Sequence, residues 1–221
     1  MQGNGFYWVT DMSDDGSVLE VRRPNGTRPS TSEPGESFQQ LTGELGGLWQ
    51  DRGRSPQRLT GVGFIAQGWT TEDRCGLAQP YTVSDLAVGP AYSDLFAGLQ
   101  SGDSIGAFPS AGLGYGAAGD EIDCVDPKKG SPAQTKILAT ANGFEKEYRP
   151  AIETQTQIHN RSLDLDDELI RADLAWIDLA SGGAIFSTGS INWISSLCYN
   201  DCENSVSAIT LNAIKRITRP K

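Results

Sequence analysis

The chain has 221 residues, 38% of them hydrophobic, with 26 glycines and 18 basic against 28 acidic side chains. That length is enough to bury a real core in one large domain, and the composition fits a loop-rich α/β protein rather than a helical bundle or a disordered chain. A net charge of −10 repels phosphate backbones and anionic lipid. No apolar run approaches the roughly 20 residues that cross a bilayer, and the N-terminal MQGNGFYW lacks the basic and apolar regions of a signal peptide. The expectation is a soluble, cytoplasmic protein with neither nucleic acid nor membrane as partner.

Phe6-Tyr7-Trp8-Val9 reads as strand material, Asp14-Asp15-Gly16 as a turn and Ser17–Arg22 as a half-exposed strand, so residues 6–22 are expected to form a hairpin. Pro24-Asn25-Gly26 ends it, and the stretch 26–40, rich in Ser, Thr, Pro and Gly, reads as a surface loop. The segment Thr42–Gly68 is chemically the densest of the chain. Glu44 stands among Gly43, Gly46 and Gly47, where the backbone can approach a ligand or another segment closely. Arg52, Arg54 and Arg58 follow, and Leu59–Ala66 has the small and apolar pattern of a buried strand. Glu44 is therefore either a metal ligand or general acid/base, or a carboxylate that pairs with those arginines to hold the loop.

Residues 69–91 show little periodicity and read as a long loop with at most a short element, while Asp94–Leu99 suits one or two helical turns. Gly112–Asp126 gathers Asp120, Glu121, Asp123 and Asp126 among glycines, but its spacing is not that of a calcium-binding loop; it reads as a solvated turn or helix start. Thr135–Ala141 is expected as a central strand, and Ala172–Leu179 and Gly183–Gly189 as a hairpin. Asn204–Ile217 carries Val206, Ile209, Ile214 and Ile217 at near-helical period, with Asn204 as N-cap and Lys215 and Arg216 in the last turn.

The lone histidine, His159, lies in a polar region without an evident partner. Cysteines 75, 124, 198 and 202 form no CxxC and have no paired histidine spacing, so reduced thiols rather than a zinc site are expected. Serines 187, 190, 195 and 196 lack a GxSxG setting and read as turn formers.

Several blocks together resemble the C-terminal domain family of N,N-dimethylformamidase large (beta) subunits. They are NGFYWVT at 4–10, PGE at 34–36, TGELGGLW at 42–49, RGRSPQRLTGVGFIAQGW at 52–69, GAAGDEID at 116–123, GGAIFSTGSINW at 182–193 and NSVSAIT at 204–210. The resemblance implies an α/β fold, a partial class I glutamine-amidotransferase-like three-layer sandwich with β-hairpins and a C-terminal helix. It also implies a mononuclear non-haem iron site that hydrolyses the C–N bond of a small formamide, the iron being held by two tyrosines and a glutamate.

By motif the glutamate falls on Glu44, and Tyr7 is a candidate for one tyrosine. Asp178, at the end of its strand, is a candidate acid supporting the site, with Arg52, Arg54 and Arg58 ordering it by ion pairing. Phenolate and carboxylate oxygens suit ferric iron, and an open position lets the metal polarise an amide carbonyl or acidify water. The family's upstream βα units have no counterpart here, and Gln39, Gln134, Phe144 and Tyr199 stand where members carry histidines. Two readings follow: the C-terminal part of an amidohydrolase completed by an upstream domain or partner chain, in a homo- or hetero-oligomer, or a non-catalytic amidotransferase-like domain for binding or assembly.

Overall fold

In the computed structural model, which describes residues 3–22, 44, 46–68, 78–110, 114–145, 148–151 and 169–219, the chain divides into two units. One is Phe6–Pro56; the other is Gln57–Lys221 together with Met1–Gly5. His159, Cys75, Gln39, the Pro34–Glu36 block and the loop 26–40 lie outside the described residues.

The first unit is built on the expected hairpin. Strands β1 (Val9–Met12) and β2 (Leu19–Arg22) pair antiparallel, Val9 opposite Arg22 and Met12 opposite Leu19. Their turn is held by Asp15, whose Oδ1 accepts from the Ser13 hydroxyl and from the Ser17 amide and hydroxyl. Those donors, the Ser13 hydroxyl foremost, lower the Asp15 carboxyl to about 2. Gly47–Trp49 runs alongside: Val9 N–H donates to the Gly47 carbonyl at 2.8 Å and Trp49 N–H to the Tyr7 carbonyl at 3.0 Å. A 3-10 turn, Trp49–Arg52, follows and stops at Gly53, which takes φ 70°.

The second unit contains two antiparallel sheets. A three-stranded sheet has the order β10 (Tyr148–Pro150), β3 (Gly63–Gly68), β8 (Glu121–Cys124). A five-stranded sheet has the order β12 (Ala184–Ser187), β11 (Ala172–Asp178), β9 (Lys136–Ala141), β4 (Tyr81–Val83), β5 (Ser104–Ile105). The expected 172–189 hairpin is β11–β12, and Thr135–Ala141 supplies β9 at the centre of the larger sheet. A short pair, β6 (Pro109–Ser110) and β7 (Gly114–Tyr115), completes the strands. The terminal helix, Ser205–Ile217, is capped by Asn204, whose side chain accepts from Ser207 N–H, and it buries Val206, Ile209 and Ala213. Around these gather Trp176, Tyr81, Leu138, Leu174, Ile122 and Trp193 as the apolar core.

Three expectations are corrected. Leu59 does not begin a strand: Pro56–Thr60 is a helix, and β3 starts only after Gly61, at φ 81°. Pro suits a first helical turn, and a Cβ on Gly61 would lie 2.9 Å from Ile177 Cδ1, so the chain turns tightly there. Residues 69–77 lie outside the described residues, and the remainder of the expected loop holds both β4 and a helical turn, Asp85–Val88, capped by Ser84. The acidic 112–126 stretch is no solvated turn, because Ile122, Asp123 and Cys124 of β8 are buried.

The mixed α/β class holds. Every pairing between described strands is antiparallel. No described helix is long and apolar enough to cross a membrane.

Candidate functional site

Glu44 sits three residues before Gly47, and Gly47 is tied to both strands of the hairpin: it accepts from Val9 N–H and its own N–H donates to the Arg22 carbonyl at 2.9 Å. The Glu44 side chain is 65% exposed. Its Oε2 accepts from Arg22 Nη1 at 3.1 Å, with Arg52 Nη1 at 3.7 Å. Arg22 is fully buried and also donates through Nη2 to Asp11 Oδ2 at 2.6 Å and through Nε to Glu20 Oε2 at 3.1 Å. One guanidinium thus organises three carboxylates, which compensates its removal from water. The guanidinium carbons of Arg52 and Arg54 lie 5.9 and 5.5 Å from the Trp49 ring centroid, so the indole helps to hold the arginine loop.

The expected pairing of Glu44 with the loop arginines is therefore present through Arg52. Arg54 contributes by stacking. Arg58 stands exposed on the Pro56–Thr60 helix. Arg22, Asp11 and Glu20 complete the cluster, and a signal for them exists in the sequence. Once 6–22 is a hairpin, Asp11 falls directly opposite Glu20, a repulsive pair unless a cation stands between them. Tyr7 is buried, its ring edge-on to Trp8 with centroids 5.1 Å apart.

Asp178 belongs to the other unit. It ends β11, with Oδ1 accepting from Trp176 Nε1 at 2.8 Å and Oδ2 from the Tyr92 hydroxyl at 3.3 Å. Burial, and then the Asp178 charge, push the Tyr92 phenol up. The Arg216 guanidinium lies over both rings, 5.2 Å from Tyr92 and 5.1 Å from Trp176. This arrangement pins the terminal helix to the sheet.

A second buried polar system, absent from the sequence expectations, joins two of the blocks quoted above. Gly189 lies against β8 and β11: its carbonyl accepts from Asp123 N–H at 2.8 Å, and a Cβ there would stand 2.4 Å from the Asp173 carbonyl oxygen. Ser190 Oγ exchanges bonds with the Gly119 N–H and carbonyl, both at 2.8 Å, and Ser187 Oγ donates to the Thr60 carbonyl at 2.7 Å. Asn192 Nδ2 donates to the Gly116 carbonyl at 2.6 Å.

These serines bond backbone groups distant in sequence, Ser187 from within β12, rather than forming local turns, and Ser195 and Ser196 lie in the helix Asn192–Leu197. Asp173 accepts from Val125 N–H, Thr140 Oγ1 and Arg171 Nε. Among the described residues, the Asp123 carboxylate accepts from the Asn4 N–H alone, at 2.9 Å, and burial lifts its carboxyl to about 7. Tyr81, buried against this system, is pushed up by burial and by the Asp123 and Asp173 charges, and its hydroxyl donates to the Thr188 carbonyl.

Two of the blocks that carry the resemblance, 116–123 and 182–193, thus interlock. The model of the family described as "N,N-dimethylformamidase beta subunit-like, C-terminal" matches residues 1–204. The chain belongs to this family. It is 29% identical over 222 residues to the N,N-dimethylformamidase beta subunit of Alcaligenes sp, covering 99% of this chain and 28% of that protein. To the beta subunit of Paracoccus aminophilus it is 29% identical over 223 residues, with the same coverage. The chain therefore spans 28% of the length of these curated relatives.

The donor set of an iron centre with two phenolates and a carboxylate is met only in part. Glu44 is open and Tyr7 is buried, and among the described residues no group of three His, Cys, Asp or Glu side chains could hold a metal ion. Cys124, Cys198 and Cys202 are free thiols, as expected.

Proposed function

We propose that this chain is the C-terminal part of a cytoplasmic, dimethylformamidase-type amidohydrolase that hydrolyses the C–N bond of a small formamide, with an amidotransferase-like sandwich completed by polypeptide beyond it. The reading gives Glu44 to a mononuclear non-haem iron centre as its carboxylate and Tyr7 as a candidate phenolate. The remaining donors come from the part of the protein that corresponds to the unmatched length of the relatives. The observation that carries it is the placement of Glu44: in the glycine-flanked block shared with the family, one carboxylate is held at the surface by two guanidinium groups. Arg22 and Arg52 orient Oε2, while Trp49 keeps the arginine loop in place. Asp178, which accepts from Trp176 Nε1 and the Tyr92 hydroxyl, is kept as the candidate supporting acid.

The test uses the complete assembly isolated from the source cells, with Glu44 intact and as Glu44→Gln. One iron per assembly in the parent is expected, with metal affinity in the variant lowered by more than about 100-fold, beyond what loss of an outer-shell partner causes, and turnover of N,N-dimethylformamide lost with it. Equal iron and turnover in both would reduce Glu44 to an ion-pair partner. No turnover in the parent would favour a non-catalytic binding or assembly domain.

A further inference from the structure

The β1–β2 hairpin is built inside out. Its register places Val9, Asp11, Glu20 and Arg22 on one face and Thr10, Met12, Leu19 and Val21 on the other. A ribbon with one solvated face ordinarily turns its apolar residues inward. Here the face that carries the charges is the inner one, with Val9 and Arg22 buried. The opposite face leaves Met12 57%, Leu19 62% and Val21 41% exposed, and Val18 in the turn is exposed beside them.

Register slippage does not explain this. Shifting one strand by a residue would exchange the faces, but it would also part Arg22 from Asp11 and Glu20, which it holds at 2.6 and 3.1 Å. The charge cluster locks the apolar face outward. A two-stranded ribbon is marginal in water without something packed on it, and this face carries no formal charge in a chain of net charge −10.

We propose that the Met12–Leu19–Val21 face is the docking surface for the polypeptide that corresponds to the unmatched length of the dimethylformamidase beta subunits. The occupant follows from two facts. This chain aligns over 99% of its own length with only 28% of its relatives, so the greater part of a family protein is available to cover the face. A second copy is the poorer partner: joining two such faces would bring together two chains of net charge −10 and their Asp14-Asp15 turns. The inference rests on the reading that further polypeptide completes this protein, and it adds where that polypeptide binds.

The experiment places a photo-crosslinking phenylalanine analogue at Leu19 in the assembly purified from the source cells, and separately at Leu211, an exposed apolar position on the terminal helix. Mass spectrometry identifies the linked peptides. Leu19 is expected to link to sequence homologous to the unmatched part of the relatives, whether that sequence lies on a separate chain or on the same one, at a yield at least about tenfold above Leu211.

The mass of the assembly tests the underlying reading on its own. If additional homologous polypeptide co-purifies yet Leu19 links to nothing, the docking surface is wrong and the reading stands. Links from Leu19 to a second copy of this chain, or to an unrelated protein, overturn the proposal as well. An assembly with no homologous polypeptide sinks both.

Discussion

The two units solve the same problem in opposite ways. In Gln57–Lys221 the centre is apolar, with Trp176, Leu174, Leu138 and Ile122 fully buried, and the buried carboxylates Asp173 and Asp123 sit where β8, β11 and Gly189 meet. Among the described residues of Phe6–Pro56 the buried centre is a guanidinium, Arg22, with Tyr7, Val9 and Leu48 as the buried hydrophobic side chains, while Met12, Leu19 and Val21 face outward. Apolar burial is the main favourable term in folding, and an ion pair taken out of water contributes little net stability. The larger unit therefore has the means to hold itself together; the smaller one spends its apolar surface on the outside, as an element does when it is shaped for a partner.

The largest effect should come from the larger unit's core. Trp176→Ala removes a fully buried indole that packs against Phe186, bonds Asp178 and stacks under Arg216. A loss of about 3–5 kcal/mol is expected by urea denaturation. A loss under about 1 kcal/mol would mean that this core does not carry the unit, and the contrast between the two units would collapse.

Next comes Asp123, whose effect depends on pH. Its folded-state carboxyl stands near 7 against an ordinary 3.8, chiefly from burial, opposed by the Asn4 N–H and reinforced by the Glu121 charge. An acid with a raised folded value holds its proton longer when folded than when unfolded. It therefore costs nothing below pH 3.8, and its contribution to stability falls as pH rises toward 7. Asp123→Asn, neutral throughout and still able to accept from Asn4, should match the parent near pH 3.5 and be more stable at pH 7, by up to roughly 4 kcal/mol on the linkage relation. Parallel melting curves for parent and variant across pH 4–7 would show that Asp123 is ionised in the fold. Glu121, also raised by burial, adds a shallower trend of the same sign that survives in the variant.

What was legible in the sequence follows the range over which each feature is determined. The terminal helix is a local statement: Asn204 caps, Val206 and Ile209 set the face, and Lys215 and Arg216 close it. The β11–β12 hairpin is equally local, as is the Glu44–Arg52 pair, eight residues apart within one loop. Leu59 misled because an apolar run after Pro56 fits either a strand or a helical turn until the space around Gly61 is known. Asp123 misled because glycine and acid usually mean solvent, and only the pairing of β8 with β3, together with its bond to Gly189, takes it inside. Arg22 needed the hairpin register before its place between Asp11 and Glu20 could be seen.

In the smaller unit, Arg22→Ala removes the cation that three carboxylates share, with Arg52 still beside Glu44. Asp11 and Glu44 retain access to water, which limits the penalty to about 2–3 kcal/mol, below that of a wholly buried broken pair. The loss should be local: faster amide exchange in β1, β2 and Gly47, with the exchange of β9 and β11 unchanged. Equal acceleration in β11 would show that the two units melt together.

Glu44→Gln should have the smallest effect on stability. Its carboxylate is 65% exposed, so its attraction to Arg22 and Arg52 is screened by water, and an exposed pair contributes at most about 1 kcal/mol. The glutamine keeps an oxygen that can accept from Arg22 Nη1, and Asp11 and Glu20 still neutralise the buried guanidinium. The melting transition should move by less than about 1 kcal/mol, in contrast to Arg22→Ala one bond away. A loss above about 2 kcal/mol would assign Glu44 to holding the loop. A near-silent variant means that this acid is more than the fold requires, which is how a carboxylate kept for a ligand should behave.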